Sequence, residues 1–229
     1  MSNLIDTTEM YLKTIYELEE DGVTPLRARI VERLGHSGPT VSQTIARMER
    51  DGLVRVRGDR RLELSDEGRA IAVEVMRKHR LAERLLLDVI GVDWVDVHDE
   101  ACRWEHVMSE GVEGRLRELL EDPTTDPFGN PLPGLEGMVE GLTPLDAIAH
   151  FPTNVVLVGR IGEPIQSARD VMAAFEAAGI RPGSEVIVVH QDDVYKVTSV
   201  DQSGEPIAEV ALSRGLAPHL FVKEKQNDS

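Results

Sequence analysis

The chain contains a single cysteine, and the residues that follow it could bind a metal ion. Cys102 lies three residues before Glu105 and four before His106, so a helix would place all three side chains on one face. That face offers a thiolate, a carboxylate and an imidazole, a mixed soft and hard ligand set that suits a first-row transition metal. His98 lies one turn earlier, about 12 Å from His106 along the helix axis. Because metal–ligand bonds are about 2 Å long, this separation predicts two neighbouring sites rather than one.

A second pair of candidate ligands, His79 and Glu83, has the i, i+4 spacing of neighbours on a helix surface. Two such pairs on successive helices can face each other and complete the coordination of an ion. Two other interpretations stay open: a lone cysteine often fills a hydrophobic core, and a regulator could bind an organic ligand instead. A catalytic pair of Cys102 and His106 is disfavoured, because adjacent turns of one helix align a base poorly with its nucleophile. We therefore expect no catalytic residues and no enzymatic activity.

Charge is unevenly distributed along the 229 residues. The net charge of −16, taken alone, argues against nucleic-acid binding. Between Gly22 and Arg61, however, nine Lys or Arg residues stand against four Asp or Glu, and a local basic face of this kind can bind DNA. No apolar run approaches the roughly 18 residues of a membrane span, and Met1–Asp6 shows no signal peptide. With one cysteine, which suits a reducing compartment, we expect a cytoplasmic protein that does not bind membranes.

The basic stretch has the element order of a helix-turn-helix. A first helix is predicted over Thr7–Glu20 from its apolar spacing. Thr24-Pro25 is expected to cap and open a second helix, which ends at Gly35. Ser37 then caps a third helix that runs to Arg50. Two short helices joined by a tight turn that contains glycine are typical of this DNA-binding motif.

The elements that follow are expected to complete the DNA-binding domain and to position the candidate ligands. Leu53–Arg57 and Arg60–Leu64 alternate apolar and charged residues around a Gly-Asp turn, which predicts a hairpin and therefore a winged helix-turn-helix. Ser65 caps a long helix closed at Gly91, and further helices are expected over 96–109 and 113–120. Long amphipathic helices after such a domain favour a dimer interface, since a twofold protein reads a palindrome.

The remaining sequence has a different texture. Pro123–Gly141 is rich in proline and glycine, so we expect it to be irregular, either a connector or a polyproline-like ligand for a neighbouring domain. Beyond it one helix is predicted over Ser167–Ala178. Short strands with turn signals between them predict a small barrel, and they lie at Val155–Ile161, Glu185–His190, Val194–Val200 and Glu205–Leu212.

Five stretches closely resemble the diphtheria toxin repressor family, in particular its actinobacterial iron-dependent regulators; they are Asp6–Leu12, Thr24–Arg29, Ser37–Gln43, Met76–Arg84 and His98–His106. The resemblance is dense from Asp6 to about Gly134 and looser after Gly141. It implies a mainly α protein with small β parts. Its expected domains are a winged helix-turn-helix over 1–73, a helical metal-binding and dimerisation domain over 74–140, a linker over 141–150 and an SH3-like β-barrel over 151–229.

The resemblance also implies two metal sites in each subunit. The regulatory site corresponds to Met10, Cys102, Glu105 and His106, and the ancillary site to His79, Glu83, His98, Glu163 and Gln166. A thioether beside a thiolate favours a softer ion than Mg²⁺ or Ca²⁺. The manganese-sensing branch of the family carries oxygen ligands at the positions of Met10 and Cys102. We therefore expect Fe²⁺, with Co²⁺, Ni²⁺, Mn²⁺ or Zn²⁺ as substitutes in vitro; a manganese-responsive repressor is the alternative.

The expected function is metal-dependent repression of genes for iron uptake and homeostasis. Metal ligation would tie Met10 on the first helix to the dimer core and so fix the spacing of the two recognition helices. We expect homodimers on double-stranded operator DNA, two dimers to an operator. Phosphates would be contacted by Arg27, Arg29, Arg47, Arg50 and Arg60. Base edges and thymine methyls would be contacted from Gln43, Ser37, Pro39, Thr40 and the adjacent Ser42.

Overall fold

The computed structural model describes residues 6–134, 141–150, 155–201 and 203–225. The chain divides into two compact units, which are described separately. The first comprises Met1–Ala82, Ala101–Asp122 and Leu132–Gly134, and the second comprises Glu83–Glu100, Pro123–Pro131 and Leu135–Ser229. Within the described ranges, no helix has both the length and the apolar character needed to cross a membrane.

The first unit begins with three helices and a hairpin: α1 (Thr7–Glu20), α2 (Arg27–Leu34), α3 (Gly38–Arg50), β1 (Val54–Val56) and β2 (Leu62–Leu64). The apolar residues of α1 recur at helical spacing, and Leu12 and Ile15 are fully buried. They form one core with Ile45 of α3 and with the inward residues of the hairpin. In the hairpin Val54 pairs with Leu64 across an antiparallel ladder. The predicted winged helix-turn-helix is confirmed.

The expected start of the second helix is wrong. Helix α2 begins at Arg27 after Leu26, which has an extended backbone and makes no side-chain cap. Pro25 instead precedes the helix, and its carbonyl accepts a hydrogen bond from the backbone N–H of Leu62 at 2.9 Å. The Thr-Pro pair is thus held against the hairpin, because a tertiary hydrogen bond outweighs the local capping preference. The predicted end is confirmed: Gly35 adopts a left-handed conformation, with φ 66°.

A long helix leads from the hairpin toward the candidate ligands. Helix α4 (Asp66–Arg84) starts at Ser65, whose Oγ accepts the N–H of Gly68 at 3.0 Å, as a capping serine should. After Arg84 the chain continues as one π-helical turn over Leu85–Ile90, which ends at Gly91 with φ 81°. The predicted cap and end are confirmed, while the change of helix type was not predicted. Isolated π-helical turns of this kind occur frequently at functional sites.

The helix that carries the cysteine is shorter than predicted. Helix α5 spans Val97–Trp104, so Glu105 and His106 lie in the turn that follows it rather than within a helix reaching residue 109. The N–H of Glu105 still bonds to the carbonyl of Ala101 at 3.1 Å, which keeps Glu105 close to its helical position. The chain then turns into α6 (Glu110–Leu119), whose first turn is capped by Ser109. Because Ser109 has an extended backbone as the N-cap of α6, the preceding helix cannot continue through residue 109 as predicted.

The second unit is built on a six-stranded antiparallel sheet. Its strands are β3 (Thr143–Pro144), β4 (Val155–Ile161), β5 (Glu185–Gln191), β6 (Val194–Val200), β7 (Pro206–Ser213) and β8 (Leu220–Glu224), in the spatial order β3-β8-β4-β5-β6-β7. Two helices, α7 (Glu163–Gln166) and α8 (Arg169–Ala177), follow β4. The four predicted strands, the predicted helix and the fold class are confirmed. Strand β3 was missed because it is only two residues long, and β8 was missed because its apolar run covers only three residues, Leu220–Val222.

The proline-rich segment contains a tightly bonded loop over Asp126–Asn130. Oδ1 of Asp126 accepts the backbone N–H groups of Phe128 and Asn130, both at 2.8 Å. The Asn130 amide donates to the carbonyl of Ile161 in β4 at 3.0 Å, which attaches the loop to the sheet. Phe128 is fully buried and lies against Trp94, with 5.3 Å between the ring centroids. The described part of this segment, 123–134, is irregular as predicted, and side-chain hydrogen bonds fix the backbone of its loop; residues 135–140 lie outside the described residues.

Candidate metal centre and nucleic-acid interface

A cluster of charged and ionisable side chains surrounds the buried Glu105 in the first unit. We refer to Glu9, Lys13, His79, Glu105 and His106 as the Glu105 cluster. Oε2 of Glu105 accepts a hydrogen bond from Lys13 Nζ at 2.8 Å and lies 2.6 Å from His79 Nδ1. Its other oxygen, Oε1, lies 3.2 Å from His106 Nε2. A carboxylate with only 3% of its side chain exposed is thus surrounded by groups that carry or can carry positive charge.

The surroundings of Glu105 keep it ionised. Burial acts to raise the pKa of the Glu105 carboxyl, but the charges of Lys13 and His79 hold the pKa well below its usual range. A buried carboxylate that remains charged can ligate a cation without first losing a proton. This property fits the ligand role that the sequence predicts for Glu105.

His106 is oriented by two carboxylates. Its Nδ1 lies 2.7 Å from Glu9 Oε2, and its Nε2 faces Glu105. Burial acts to lower the pKa of the His106 imidazole, whereas the hydrogen bonds to Glu105 and Glu9 raise it above its ordinary value. Metal-binding histidines commonly have a carboxylate on the second ring nitrogen, which fixes the ring orientation. Glu9 has the geometry for this role.

Helix α1 contributes Glu9 and Lys13 to this cluster. Glu9 and Lys13 contact His106 and Glu105, and Met10 follows Glu9 directly on the same turn. Met10 is half-buried and packs against the core of the winged helix-turn-helix, while its carbonyl accepts the Thr14 hydroxyl at 2.9 Å. Cys102 is half-buried one turn of α5 before His106. The structure thus brings Glu105 and His106 together, and it places Met10 on the turn of α1 that contacts them.

A second cluster, formed by Glu83, His98 and Ser167, lies in the second unit; we refer to it as the His98 cluster. His98 Nδ1 lies 3.2 Å from Glu83 Oε1, and His98 Nε2 lies 3.2 Å from Ser167 Oγ. Glu83 is fully buried and His98 is nearly so. Two of the predicted ancillary ligands are therefore in contact. His79 lies one turn before Glu83 on α4, and it contacts Lys13 and Glu105 of the first unit.

Helix α7 carries the two ligand candidates of the C-terminal domain, Glu163 and Gln166, and both are buried. The amide nitrogen of Gln166 donates to the carbonyl of Ile161 at 2.7 Å. Among the described residues, the Gln166 Oε1 atom is buried and accepts no hydrogen bond. A buried amide oxygen without a donor is costly unless a ligand satisfies it, and a cation does so. Ser167, the residue after Gln166, contacts His98.

Sequence reasoning missed Glu9, Lys13 and Ser167 as members of these clusters. One signal was available for Lys13. It lies among Tyr11, Leu12 and Ile15 on the buried side of α1, where a lysine breaks the apolar pattern. No comparable signal marks Glu9 or Ser167, since both residues are common near helix ends.

The predicted DNA-contacting side chains are displayed on α3 and its surroundings. Ser37 caps α3 by accepting the N–H of Thr40 at 3.3 Å. Inward residues of α3 are buried, while its outer face is exposed. The predicted contacts Arg29, Ser37, Pro39, Thr40, Ser42, Gln43, Arg47, Arg50 and Arg60 are exposed, and Arg27 is half-buried. Gln43, Arg47 and Arg50 line one shallow surface concavity along α3, the helix that a helix-turn-helix inserts into the major groove.

Two family descriptions match the chain. The N-terminal DNA-binding domain of iron-dependent repressors matches residues 3–62, and their metal-binding and dimerisation domain matches residues 65–134. The "Iron-dependent repressor IdeR" of Mycobacterium tuberculosis H37Rv is 58% identical over 197 residues, which cover 82% of this chain and 86% of that protein. The "Diphtheria toxin repressor" of Corynebacterium diphtheriae is 58% identical over 200 residues, covering 84% and 88%.

Solved structures give the same result. A manganese-dependent transcriptional repressor in complex with manganese has a TM-score of 0.80 at 28% identity, covering 96% of this chain and all of that one. The metal-dependent transcriptional regulator MtsR has a TM-score of 0.76 at 26% identity, covering 95% and 98%. These similarities extend over the whole fold, including the C-terminal sheet.

Proposed function

Because this chain belongs to the family of iron-dependent repressors and is a transcriptional repressor, we propose that Fe²⁺ binding at two sites in each subunit switches on its binding to operator DNA. The single observation that carries the proposal is the Glu105 cluster. There a buried, ionised carboxylate and a carboxylate-oriented imidazole lie against α1, the first helix of the DNA-binding domain. The N-terminal and dimerisation domains make the protein a dimer that binds DNA.

The first proposed site is held by Met10, Cys102, Glu105 and His106. The thioether and thiolate supply soft ligands, and the carboxylate and imidazole supply harder ones. This mixed set favours Fe²⁺, and Co²⁺ or Ni²⁺ in the laboratory, over ions that prefer oxygen alone. The contacts of Glu9 and Lys13 with His106 and Glu105 support the proposal, since they hold the Met10 turn of α1 beside two of the ligands.

The second proposed site is held by His79, Glu83, His98, Glu163 and Gln166. Three observations support this assignment. His98 contacts both Glu83 and Ser167, and the buried Oε1 atom of Gln166 accepts no hydrogen bond among the described residues. All five side chains are buried, and buried carboxylates, imidazoles and amides require partners that satisfy them. The set has no sulfur ligand, so we expect it to be less selective for soft ions than the first site.

In the proposed switch, metal binding shifts the DNA-binding domain from a loosely held population to one that is fixed to the dimerisation domain. When one ion is bound by Met10 on α1 and also by Glu105 and His106, it fixes the DNA-binding helices to the dimerisation domain. Without that link, DNA binding must include the entropy of ordering them. An ion present at 100 times its dissociation constant shifts such an equilibrium by about 2.7 kcal/mol, roughly a hundredfold in operator affinity. Two dimers on one operator, and a cytoplasmic location, complete the proposal.

The test is an operator mobility-shift assay with Fe²⁺, Co²⁺, Mn²⁺ and a chelator, on the natural chain and on Cys102→Ala. We expect Fe²⁺ and Co²⁺ to activate the natural chain at lower concentrations than Mn²⁺, and Cys102→Ala to remain a folded dimer that no longer responds. Operator binding that is unchanged by the chelator would disprove metal control. A full Fe²⁺ response in Cys102→Ala would exclude Cys102 as a ligand of the first proposed site.

A further inference from the structure

Lys13 is a buried cation in the middle of the Glu105 cluster. Only 5% of the residue is exposed. Its Nζ lies 2.8 Å from Glu105 Oε2 and 3.3 Å from His79 Nδ1, and the carboxylate of Glu17 lies 3.9 Å away on the next turn of α1. The ammonium group therefore contacts both a ligand of the first proposed site and a ligand of the second, and these two ligands also contact each other.

A lysine at this position is chemically unusual. Lysine is almost never fully buried unless its charge is paired, because removing an ammonium from water is costly. The neighbours of Lys13 on α1, Leu12 and Ile15, are fully buried apolar residues, so packing alone would favour an apolar side chain here. The feature that compensates the burial is the negative charge of Glu105, which is itself buried. The buried ammonium of Lys13 and the buried carboxylate of Glu105 therefore stabilise each other.

We propose that Lys13 is the resident cation of the metal-free centre, and that its ammonium charge competes with a divalent ion for Glu105 and so sets the metal concentration at which the repressor responds. This inference rests on the proposed function, in which Glu105 is a ligand. A dication that approaches Glu105 meets a carboxylate whose charge is already neutralised, and it is repelled by the ammonium within hydrogen-bond distance of that carboxylate. Lys13 thereby weakens binding and keeps the unoccupied centre intact.

The proposal distinguishes Lys13 from a positioning residue. If the ammonium served only to orient Glu105 for the ion, its removal would weaken metal binding, as loss of an outer-shell partner usually does. If the ammonium competes with the ion, its removal strengthens metal binding. The two roles therefore predict changes of opposite sign in the same measurement.

The experiment is a Co²⁺ titration of the full-length metal-free protein, followed by the absorption of the Co²⁺–thiolate chromophore and by calorimetry. We expect Lys13→Met to bind Co²⁺ at the thiolate site on the order of tenfold more tightly than the natural chain, because the variant removes the Coulomb repulsion between the ammonium and the dication. The matched control is Lys78→Met, which removes the same charge from a lysine that is paired with Glu74 on α4. We expect it to leave the Co²⁺ affinity unchanged.

Two further variants keep the test decisive if Lys13→Met does not fold without metal. Lys13→Gln removes the charge but keeps a donor for Glu105, and it should bind Co²⁺ more tightly; Lys13→Arg keeps the charge and should not. Unchanged or weaker Co²⁺ binding in Lys13→Gln would overturn the proposal for Lys13. A natural chain that takes up no Co²⁺ at its thiolate would instead overturn the proposed function, so the two failures are distinguishable.

A second readout is independent of affinity. Without its cation, the buried Glu105 should lower the melting temperature of metal-free Lys13→Met, and Co²⁺ should restore it. We therefore expect Co²⁺ to raise the melting temperature of Lys13→Met more than that of the natural chain or of Lys78→Met. An equal rise in all three proteins would contradict the proposal.

Discussion

Glu9 Oε2 and His106 Nδ1 lie 2.7 Å apart, and this contact joins the first turn of α1 to the turn that follows α5. The two residues are 97 positions apart in the sequence. The Met10 turn of the DNA-binding domain is therefore attached to the proposed regulatory ligands by a charged hydrogen bond as well as by any ion they share. The contact makes Glu9 a testable part of the site.

Replacing Glu9 with alanine should weaken metal binding at the first site. Without this carboxylate the His106 ring loses the partner that fixes its orientation, and such a loss typically costs about 10–100-fold in metal affinity. The measurement is a Co²⁺ titration by calorimetry. Glu32→Ala is the control, because Glu32 is an exposed acid paired with Arg29 away from the cluster. Equal affinity in Glu9→Ala and the natural chain would show that Glu9 does not orient His106.

The stability of the metal-free protein should fall as the pH rises above neutrality. The pKa of His106 is raised in the folded state, so its contribution is complete below the pKa of the unfolded chain, about 6.5, and is lost as the pH rises through the folded value. Urea denaturation at pH 6 and pH 8, in the presence of a chelator, measures the difference. His106→Gln should reduce the pH dependence in this interval. An identical dependence in the variant would assign it to other groups.

Glu105 should contribute in the opposite direction. Its folded-state pKa lies well below the ordinary value, so its contribution is present above the pKa of the unfolded chain and is lost as the pH falls through the folded value. Acid denaturation of the natural chain and of Glu105→Gln, followed by circular dichroism, should therefore show a smaller acid-induced loss of stability in the variant. A parallel loss in both proteins would contradict this assignment.

Gln166→Leu should remove metal from the second site alone. The variant keeps the approximate size of the side chain but lacks the Oε1 atom that accepts no hydrogen bond among the described residues. We expect two Co²⁺ ions bound to the natural chain and one bound tightly to the variant, with the thiolate chromophore unchanged. Gln191→Leu, at an exposed position of β5, is the control. Two tightly bound ions in Gln166→Leu would remove Gln166 from the ligand set.

Gln43 and Arg47 should affect DNA binding in different ways. Gln43→Ala should reduce the preference for operator over random DNA, since a side chain that reads a base edge contributes about 1–3 kcal/mol of discrimination. Arg47→Ala should weaken binding to both DNAs and reduce the slope of log affinity against log salt by about one. Fluorescence anisotropy at several salt concentrations measures both effects. A uniform loss in Gln43→Ala would make Gln43 a phosphate contact.

The elements that the sequence predicted well are those fixed by local chemistry. Ser37 and Ser65 cap the helices expected of them, apolar alternation identified the hairpin, and turn signals between short strands identified four strands of the sheet. The start of α2 could not be predicted, because the Thr24-Pro25 pair is held by a hydrogen bond from Leu62, which lies 37 residues later. Tertiary contacts of this kind leave no mark in a local window of sequence.

The sequence predicts a set of ligands for the candidate site but not the side chains that surround them. Spacing and resemblance pointed to Glu105 and His106, whereas their partners Lys13 and Glu9 come from α1, more than 90 positions earlier. Glu105 and His106 do not lie within the same helix as Cys102, although the sequence predicted that they would, because α5 ends at Trp104. Glu105 remains close to its expected position because its N–H keeps the helical bond to Ala101. This hydrogen bond continues the helical pattern one residue past the end of α5, while the role of Glu105 as a ligand stays a prediction.

The bonded loop at Asp126–Asn130 has a consequence for the second site. Arg84, the residue after Glu83, donates to the carbonyls of Thr125 and Asp126, and the opposite end of the same loop is bonded through Asn130 to Ile161, two residues before α7. One end of this loop is therefore bonded to the residue after Glu83, and the other end is bonded to the strand that precedes α7. Inserting a single residue into the Asp126–Asn130 loop should therefore disturb the second proposed site even though every proposed ligand residue is retained.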